Sequence, residues 1–134
     1  MKKCYDCKIE KPLSEFNSHK NRKDGKQTHC KVCAKAHQTK WYYQRKFGIT
    51  LEHRDKLLAD QDYGCKICDT TISFPPPGSG SGNVNNTGNT NAVVDHCHTN
   101  GHIRGILCGA CNTGLGSFRD NTAALISAVD YLQQ

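Results

Sequence analysis

Asp95-His96-Cys97-His98, followed by Cys108-Gly109-Ala110-Cys111-Asn112, is the stretch that decides how this chain is read. A dense Asp/His cluster runs into a cysteine pair, and an amide side chain stands directly after the last cysteine. Asn100-Gly101 between the two halves is a tight-turn signal, with Val93–His98 and Ile103–Leu107 as the flanking strands. The residues after Cys108, to about Gly116, then read as a short helix carrying Asn112. Strand, turn, strand, helix around one cluster of oxygen and imidazole donors is the expected local order.

The cysteines extend this reading outward. Eight of the nine fall in Cys-x-x-Cys pairs: Cys4/Cys7, Cys30/Cys33, Cys65/Cys68 and Cys108/Cys111. Leu, Ile, Val and Phe together make up under a fifth of the 134 residues, too little for an apolar core alone to hold the fold. The N-terminus has no apolar signal core and no run reaches membrane-spanning length, so a reducing, cytoplasmic setting is expected. There paired thiols read as metal ligands, and four pairs make two tetrahedral Cys4 sites for two structural zinc ions. Disulfides, a redox pair or iron–sulfur ligation would not by themselves explain the pairing of all eight. Cys97 is left over, inside the Asp/His cluster.

Charge divides the chain. Residues 1–47 hold 13 Lys/Arg against 4 Asp/Glu, a net of +9; residues 48–134 hold 5 against 8, a net of −3. A basic front half ahead of a carboxylate-bearing back half fits a polyanion grip, with DNA phosphate as the partner, although a charge run is also an ordinary solvated surface. The expected division is therefore 1–47, a zinc ribbon plus a basic aromatic helix, and 48–134, a second module with an insertion at 75–91.

In the front module, Cys7 and Cys30 are separated by 22 residues, room for a short hairpin with a turn at Lys23-Asp24-Gly25. His29 is expected as a surface residue, since four thiolates already complete the site. Residues 34–47 read as a helix that stops at Gly48. Trp41, Tyr42, Tyr43 and Phe47 are interleaved there with Lys35, Lys40, Arg45 and Lys46, and stack on bases, anchor the helix, or both. A second helix is expected over about 51–62, with Leu51, Leu57 and Leu58 as its apolar stripe. Residues 75–91 are rich in Pro, Gly, Ser and Asn and read as a loop without chemistry. Asp120 or Asn121 is expected to cap a final helix that packs through Leu125, Ala128, Val129 and Leu132.

Asp95-His96-x-His98, then Arg104-Gly105-Ile106-Leu107-Cys108-x-x-Cys111-Asn112, with Cys65-x-x-Cys68 upstream, resembles the phage recombination endonuclease VII family of HNH, or His-Me finger, nucleases. The resemblance covers roughly residues 48–117. The front ribbon, with Lys11-Pro12-Leu13-Ser14-Glu15-Phe16 between its cysteine pairs, resembles ribbons ahead of such domains. It implies a small zinc-stabilised α+β fold with a ββα-metal module, and a DNA endonuclease that nicks or cuts both strands, branched DNA included among its substrates. It implies Asp95 and Asn112 as oxygen ligands of one catalytic Mg²⁺ or Mn²⁺, His96 as general base, and His98 and Arg104 as contacts to the scissile phosphate. Cys65, Cys68, Cys108 and Cys111 would hold the second zinc.

Elementary chemistry agrees with that set. Asp and Asn oxygens are hard donors suited to Mg²⁺ or Mn²⁺, and imidazole titrates near neutrality. Other readings stay open: His96, His98 and His102 as zinc ligands, Arg104 as a surface charge, Asn112 as a helix-start residue. One tension is internal, because Asp95 and His96 on a regular strand would face opposite sides. The family often has a carboxylate where Cys97 stands, and Cys97 is expected as a spacer. The rival reading is a non-catalytic zinc-binding nucleic-acid adaptor. A dimer would suit paired cleavage, with no interface that can be named.

Overall fold

A computed structural model describes residues 1–76 and 90–134. The expected loop at 75–91 lies for the most part outside the described residues. The described residues divide into two compact units, Met1–Leu51 and Glu52–Phe74 together with residues 90–134. The fold is small α+β, with three two-stranded antiparallel sheets among the described residues and a Cys4 cluster in each unit.

In the first unit β1 (Lys2–Lys3) pairs with β2 (Glu10–Lys11) across the first cysteine pair. A 3-10 turn, Leu13–Glu15, leads into β3 (Phe16–Ser18), which pairs with β4 (Lys26–Cys30). The apolar content is slight: Phe16 is buried with Cys4 and Cys30, and Cys7 and Cys33 pack against them. A core of one phenylalanine and four thiols is stable only if the thiols are bound together, and that is the task a structural metal performs.

Helix α1 (Lys31–Phe47) begins three residues earlier than the sequence pattern predicts. Cys30 is extended and sits at the N-cap, so Cys33 falls in the first helical turn. The helix ends where expected: Gly48 takes a left-handed φ of 67° and its N–H donates to Gln44 O at 3.0 Å. Its aromatic residues split between the two readings. Tyr43 and Phe47 are half-buried and pack ring to ring at 5.8 Å, whereas Trp41 and Tyr42 are exposed.

In the second unit α2 (Leu51–Ala59) is shorter than predicted. The chain leaves the helix through Asp62 and Tyr63, both left-handed, before Cys65. Leu58 is buried as expected, and beside it Arg54 is buried too, stacked 4.1 Å from the centre of the Phe74 ring. Strands β5 (Ala92–His96) and β6 (Ile103–Cys108) form the second unit's hairpin, and α3 (Gly109–Ser117) packs against both. Strand, strand, helix is therefore the observed order.

The final helix α4 (Thr122–Leu132) is capped as foreseen, with Asn121 Oδ1 accepting from Ala124 N–H at 3.0 Å. Its apolar face is not core, contrary to expectation. Leu125 and Ala128 are half-buried, but Val129 and Leu132 are exposed, and no α4 residue is fully buried. The spacing makes the helix amphipathic, yet among the described residues much of that face stays open to solvent.

Candidate functional site

The cysteine clusters set the frame. In each unit the four Sγ atoms lie within 4.8 Å of one another. Cys68 Sγ and Cys108 Sγ are 3.8 Å apart, the separation that two ligands about 2.3 Å from a tetrahedral zinc would have. Both clusters suit structural zinc. Cys4 is drawn down to about 6: burial alone would raise it, but the N–H groups of Cys30, Cys7 and Asp6 outweigh that. Cys68 also falls to about 6, chiefly through the Thr70 hydroxyl 3.2 Å from its sulfur. Thiols that ionise near neutrality are ready metal ligands.

The second cluster is tied to the hairpin through the backbone of β6. Gln61 spans the join: its Nε2 donates to Ile106 O at 2.8 Å, and its Oε1 accepts from Ile106 N–H at 2.8 Å. Lys66 N–H donates to Ile106 O at 3.2 Å, and Lys66 Nζ to Arg104 O at 2.9 Å. Gly105 eases this approach. A Cβ there would meet Lys66 Cδ at 2.7 Å, and its φ of +157° lies outside the range side chains favour.

The Asp/His cluster stands at the break in the hairpin. Asp95 pairs with Gly105 but His96 with Ile103, so Arg104 is an extra residue and the ladder shifts between Asp95 and His96. A bulge of this kind re-aims side chains. Regular alternation holds from Ala92 to Val94 and then fails, because Asp95 is buried at 6% exposure directly after buried Val94. The tension between Asp95 and His96 in the sequence thus falls where the strand ceases to be regular. The turn beyond is wider than a two-residue Asn-Gly hairpin: Cys97 N–H donates to His102 O and Gly101 N–H to Cys97 O, both at 2.8 Å.

The residues expected on the hairpin are brought together. Arg104 forks onto Asp95, Nε to Oδ2 at 2.7 Å and Nη2 to Oδ1 at 2.9 Å. The His96 and His98 rings meet at a tilt, with centres 4.9 Å apart. His98 Nδ1 lies 2.8 Å from Asp120 Oδ2, and Asp120 Oδ1 accepts from Arg104 Nη2 at 3.3 Å. Asp120 therefore joins His98 to Arg104. Its carboxyl is held below the usual range by His98 first and Arg104 second, and Arg104 is held more firmly protonated by Asp95. Asn112 is half-buried in α3, one residue past Cys111, on the helix that packs against both strands.

The remaining histidine and cysteine of the cluster are placed as follows. His102 is engaged within the turn, its Nδ1 2.5 Å from Asn100 Oδ1. Among the described residues, neither thiolate set includes His96, His98 or His102. Cys97 is half-buried and joins no metal-type cluster among them; the N–H groups of Asn100 and Thr99 draw its thiol down. Asp120 is visible in the sequence only as a helix cap. Its link to His98 and Arg104 spans 22 and 16 residues and depends on left-handed Arg119 and Asp120, at φ 52° and 54°. No local pattern announces such a pair.

Comparison with known proteins bears on the same segment. No curated protein matches the chain significantly. Among solved structures, the crystal structure of the beta-beta-alpha-Me type II restriction endonuclease Hpy99I is similar at a TM-score of 0.41 and 23% identity, over 98% of this chain and 64% of that one. The chain thus spans less than two thirds of that endonuclease's length. Residues 80–134, the segment that holds the hairpin, α3 and the Asp/His cluster, match a model of the recombination endonuclease VII family.

Proposed function

We propose that the chain is a metal-dependent DNA endonuclease that hydrolyses a phosphodiester bond at the Asp95/His96 bulge. The observation that carries the reading is the β5–β6–α3 hairpin and helix, with Asp95, His96, His98 and Arg104 gathered at its one break, inside a segment that matches an endonuclease family.

The donor set fits a hard divalent ion. Asp95 and Asn112 supply oxygens, and neither belongs to a thiolate cluster. When bound, Mg²⁺ or Mn²⁺ would neutralise charge developing on the phosphate and leaving oxygen. The remaining work falls to this chain's side chains. His96 takes the proton from the attacking water at a ring nitrogen, an effect typically worth about 10²–10⁴-fold. His98, oriented through Nδ1 by Asp120, faces the phosphate as a hydrogen-bond donor. Arg104 holds Asp95 in its rotamer, and its second contact, Asp120, offers a place for the guanidinium when Asp95 turns to a ligand. The cysteine cluster fixes where β6 ends and α3 begins, and so where Asn112 stands relative to Asp95.

Polyanion binding is assigned to α1, where Arg45 lies 5.1 Å from the centre of the exposed Trp41 ring and Lys46 5.3 Å from that of Tyr42. Paired cationic and aromatic groups suit phosphate and base contacts together. This keeps the two-module division, a ribbon with a basic helix ahead of a catalytic hairpin, as part of the proposal.

The test is a supercoiled-plasmid assay in Mg²⁺ or Mn²⁺, comparing the parent chain with His96→Ala at equal zinc content. Nicked or linear product that falls about 10²-fold or more in the variant is expected. No cutting of plasmid or branched DNA by the parent overturns the reading. One observation favours a rival: the Asp95 carboxylate is already neutralised by Arg104, as in a purely structural pair. A zinc-stabilised nucleic-acid adaptor needs no more than that, and would bind DNA with no response to Mg²⁺.

A further inference from the structure

The first unit carries a second group of donor atoms outside its thiolates. Asp6 lies between Cys4 and Cys7, His29 precedes Cys30, and His37 stands one helical turn beyond Cys33. The two segments that present the four sulfurs therefore also present one carboxylate and two imidazoles. Their ligand atoms lie within 4.8 Å of one another. Asp6 Oδ1 is 3.4 Å from His29 Nε2, and Asp6 Oδ2 is 2.5 Å from His37 Nε2. The two rings meet edge to face with centres 5.3 Å apart.

A hydrogen-bonded trio would use one nitrogen of each ring and stop there. Three further features point to an ion. Both imidazoles turn Nε2 toward the carboxylate, so all three donors converge on one region. His29 has its other nitrogen 3.2 Å from Thr28 Oγ1, an outer contact that can hold the ring with Nε2 facing the cluster, as second-layer partners do for metal-ligating histidines. The third is distance. Bonds of about 2.0–2.2 Å to nitrogen and oxygen in a tetrahedral site put donors roughly 3.4 Å apart. The Asp6–His29 pair already has that separation. The His37 contact must open by less than about 1 Å to match it, which its 59% exposed side chain allows.

We propose that Asp6, His29 and His37 form a third metal site, one that takes a borderline divalent cation, Zn²⁺, with a coordination position left open. The donor set selects the ion. Two imidazoles are too soft for Mg²⁺ or Ca²⁺, and the absence of thiolate in the trio makes it weaker than either Cys4 cluster. Three protein ligands with one open position is the arrangement found where zinc is used chemically rather than structurally. Asp6 and His37 border a hollow of about 440 Å³ that Ala36, Lys40 and Leu51 also line, so a water or anionic ligand atom has room beside them.

The experiment is a Zn²⁺ titration of the full chain already holding two equivalents, in saturating Mg²⁺, read by competition with a chromophoric chelator. The parent chain takes a third equivalent. His37→Ala, on the exposed face of α1, and Asp6→Asn each lose it, while both keep two zinc ions by native mass spectrometry and an unchanged far-UV spectrum. The proposal is overturned if the parent stops at two equivalents, or if the third persists in His37→Ala, which would place it at other donors such as His96 and His98. If Asp6→Asn disturbs the knuckle, His37→Ala decides alone.

Discussion

The two cysteine clusters are built alike and surrounded differently. In the first unit Cys4 N–H donates to Ile9 O at 3.0 Å, Lys8 N–H to Cys4 O at 3.1 Å, and Lys8 is left-handed at φ 60°. In the second, Cys65 N–H donates to Thr70 O at 2.9 Å, Asp69 N–H to Cys65 O at 2.9 Å, and Asp69 is left-handed at φ 59°. The other half of each cluster repeats too. Cys30 and Cys108 both end a strand and sit at a helix N-cap, with φ/ψ of −66°/161° and −71°/160°. One local device, a knuckle plus a strand-to-helix corner, is thus used twice. What differs is the company: Asp6, His29 and His37 around the first, a bulged hairpin with Asp95, His96, His98 and Arg104 beside the second. The device organises each unit with little apolar surface, and the residues around it are where the two proposals place their chemistry.

The largest effect expected comes from breaking the shared device. Chelating zinc unfolds both units, since structural zinc contributes about 10–16 kcal/mol in finger peptides. Cys4→Ser and Cys65→Ser should separate them. Each loses one zinc by mass spectrometry, but only Cys65→Ser abolishes DNA cleavage outright. Equal loss of cleavage in both would show that the units are not independent in function.

Replacing the chemistry while keeping the device comes next. His96→Ala should retain two zinc ions and lose about 10²-fold or more in cleavage rate. Arg104→Met leaves the Asp95 carboxylate buried at 8% side-chain exposure without its fork. Removing one partner of a buried pair costs about 3 kcal/mol, at the low end here because Arg104 is one third exposed. A thermal or urea melt of the zinc-loaded protein measures it. No change would mean that the fork is not a stabilising pair.

The charge difference between the units gives a finer test. Replacing Lys40, Arg45 and Lys46 on α1 with Gln should flatten the salt dependence of DNA binding, by roughly 0.9 in log–log slope for each phosphate no longer neutralised. An unchanged slope would remove α1 from the interface. The smallest effect is at the cysteines. Cys68 is held near 6 chiefly by the Thr70 hydroxyl, and the first knuckle has Ile9, with no hydroxyl, at the equivalent position. Thr70→Val raises the Cys68 thiol, so a proton competes with zinc more strongly and metal release on acidification moves to higher pH. Release from the first cluster stays where it was. A zinc-indicator titration against pH resolves the two steps.

Much of this was legible in the sequence because it is local. Pairs of cysteines three apart, a helix stop at Gly48, a cap at Asn121 and an Asp-His-x-His run before Cys108 each declare themselves within a few residues. Composition called for cross-links, disulfide or metal, in place of a large apolar core. The tertiary structure decided what depends on residues distant in the chain. The register break between Asp95 and His96 falls beside Gly105, which leaves room for Lys66, and Gln61 grips Ile106 across 45 residues. Asp120 reaches His98 and Arg104 only through a left-handed turn, and His29, read as surface, meets Asp6 and His37 only once the knuckle and helix are joined. The exposed apolar face of α4 taught the converse, since amphipathic spacing predicts a helix but not what lies against it. Side-chain type and spacing fix what an element can be, and only packing in three dimensions fixes which side chains meet.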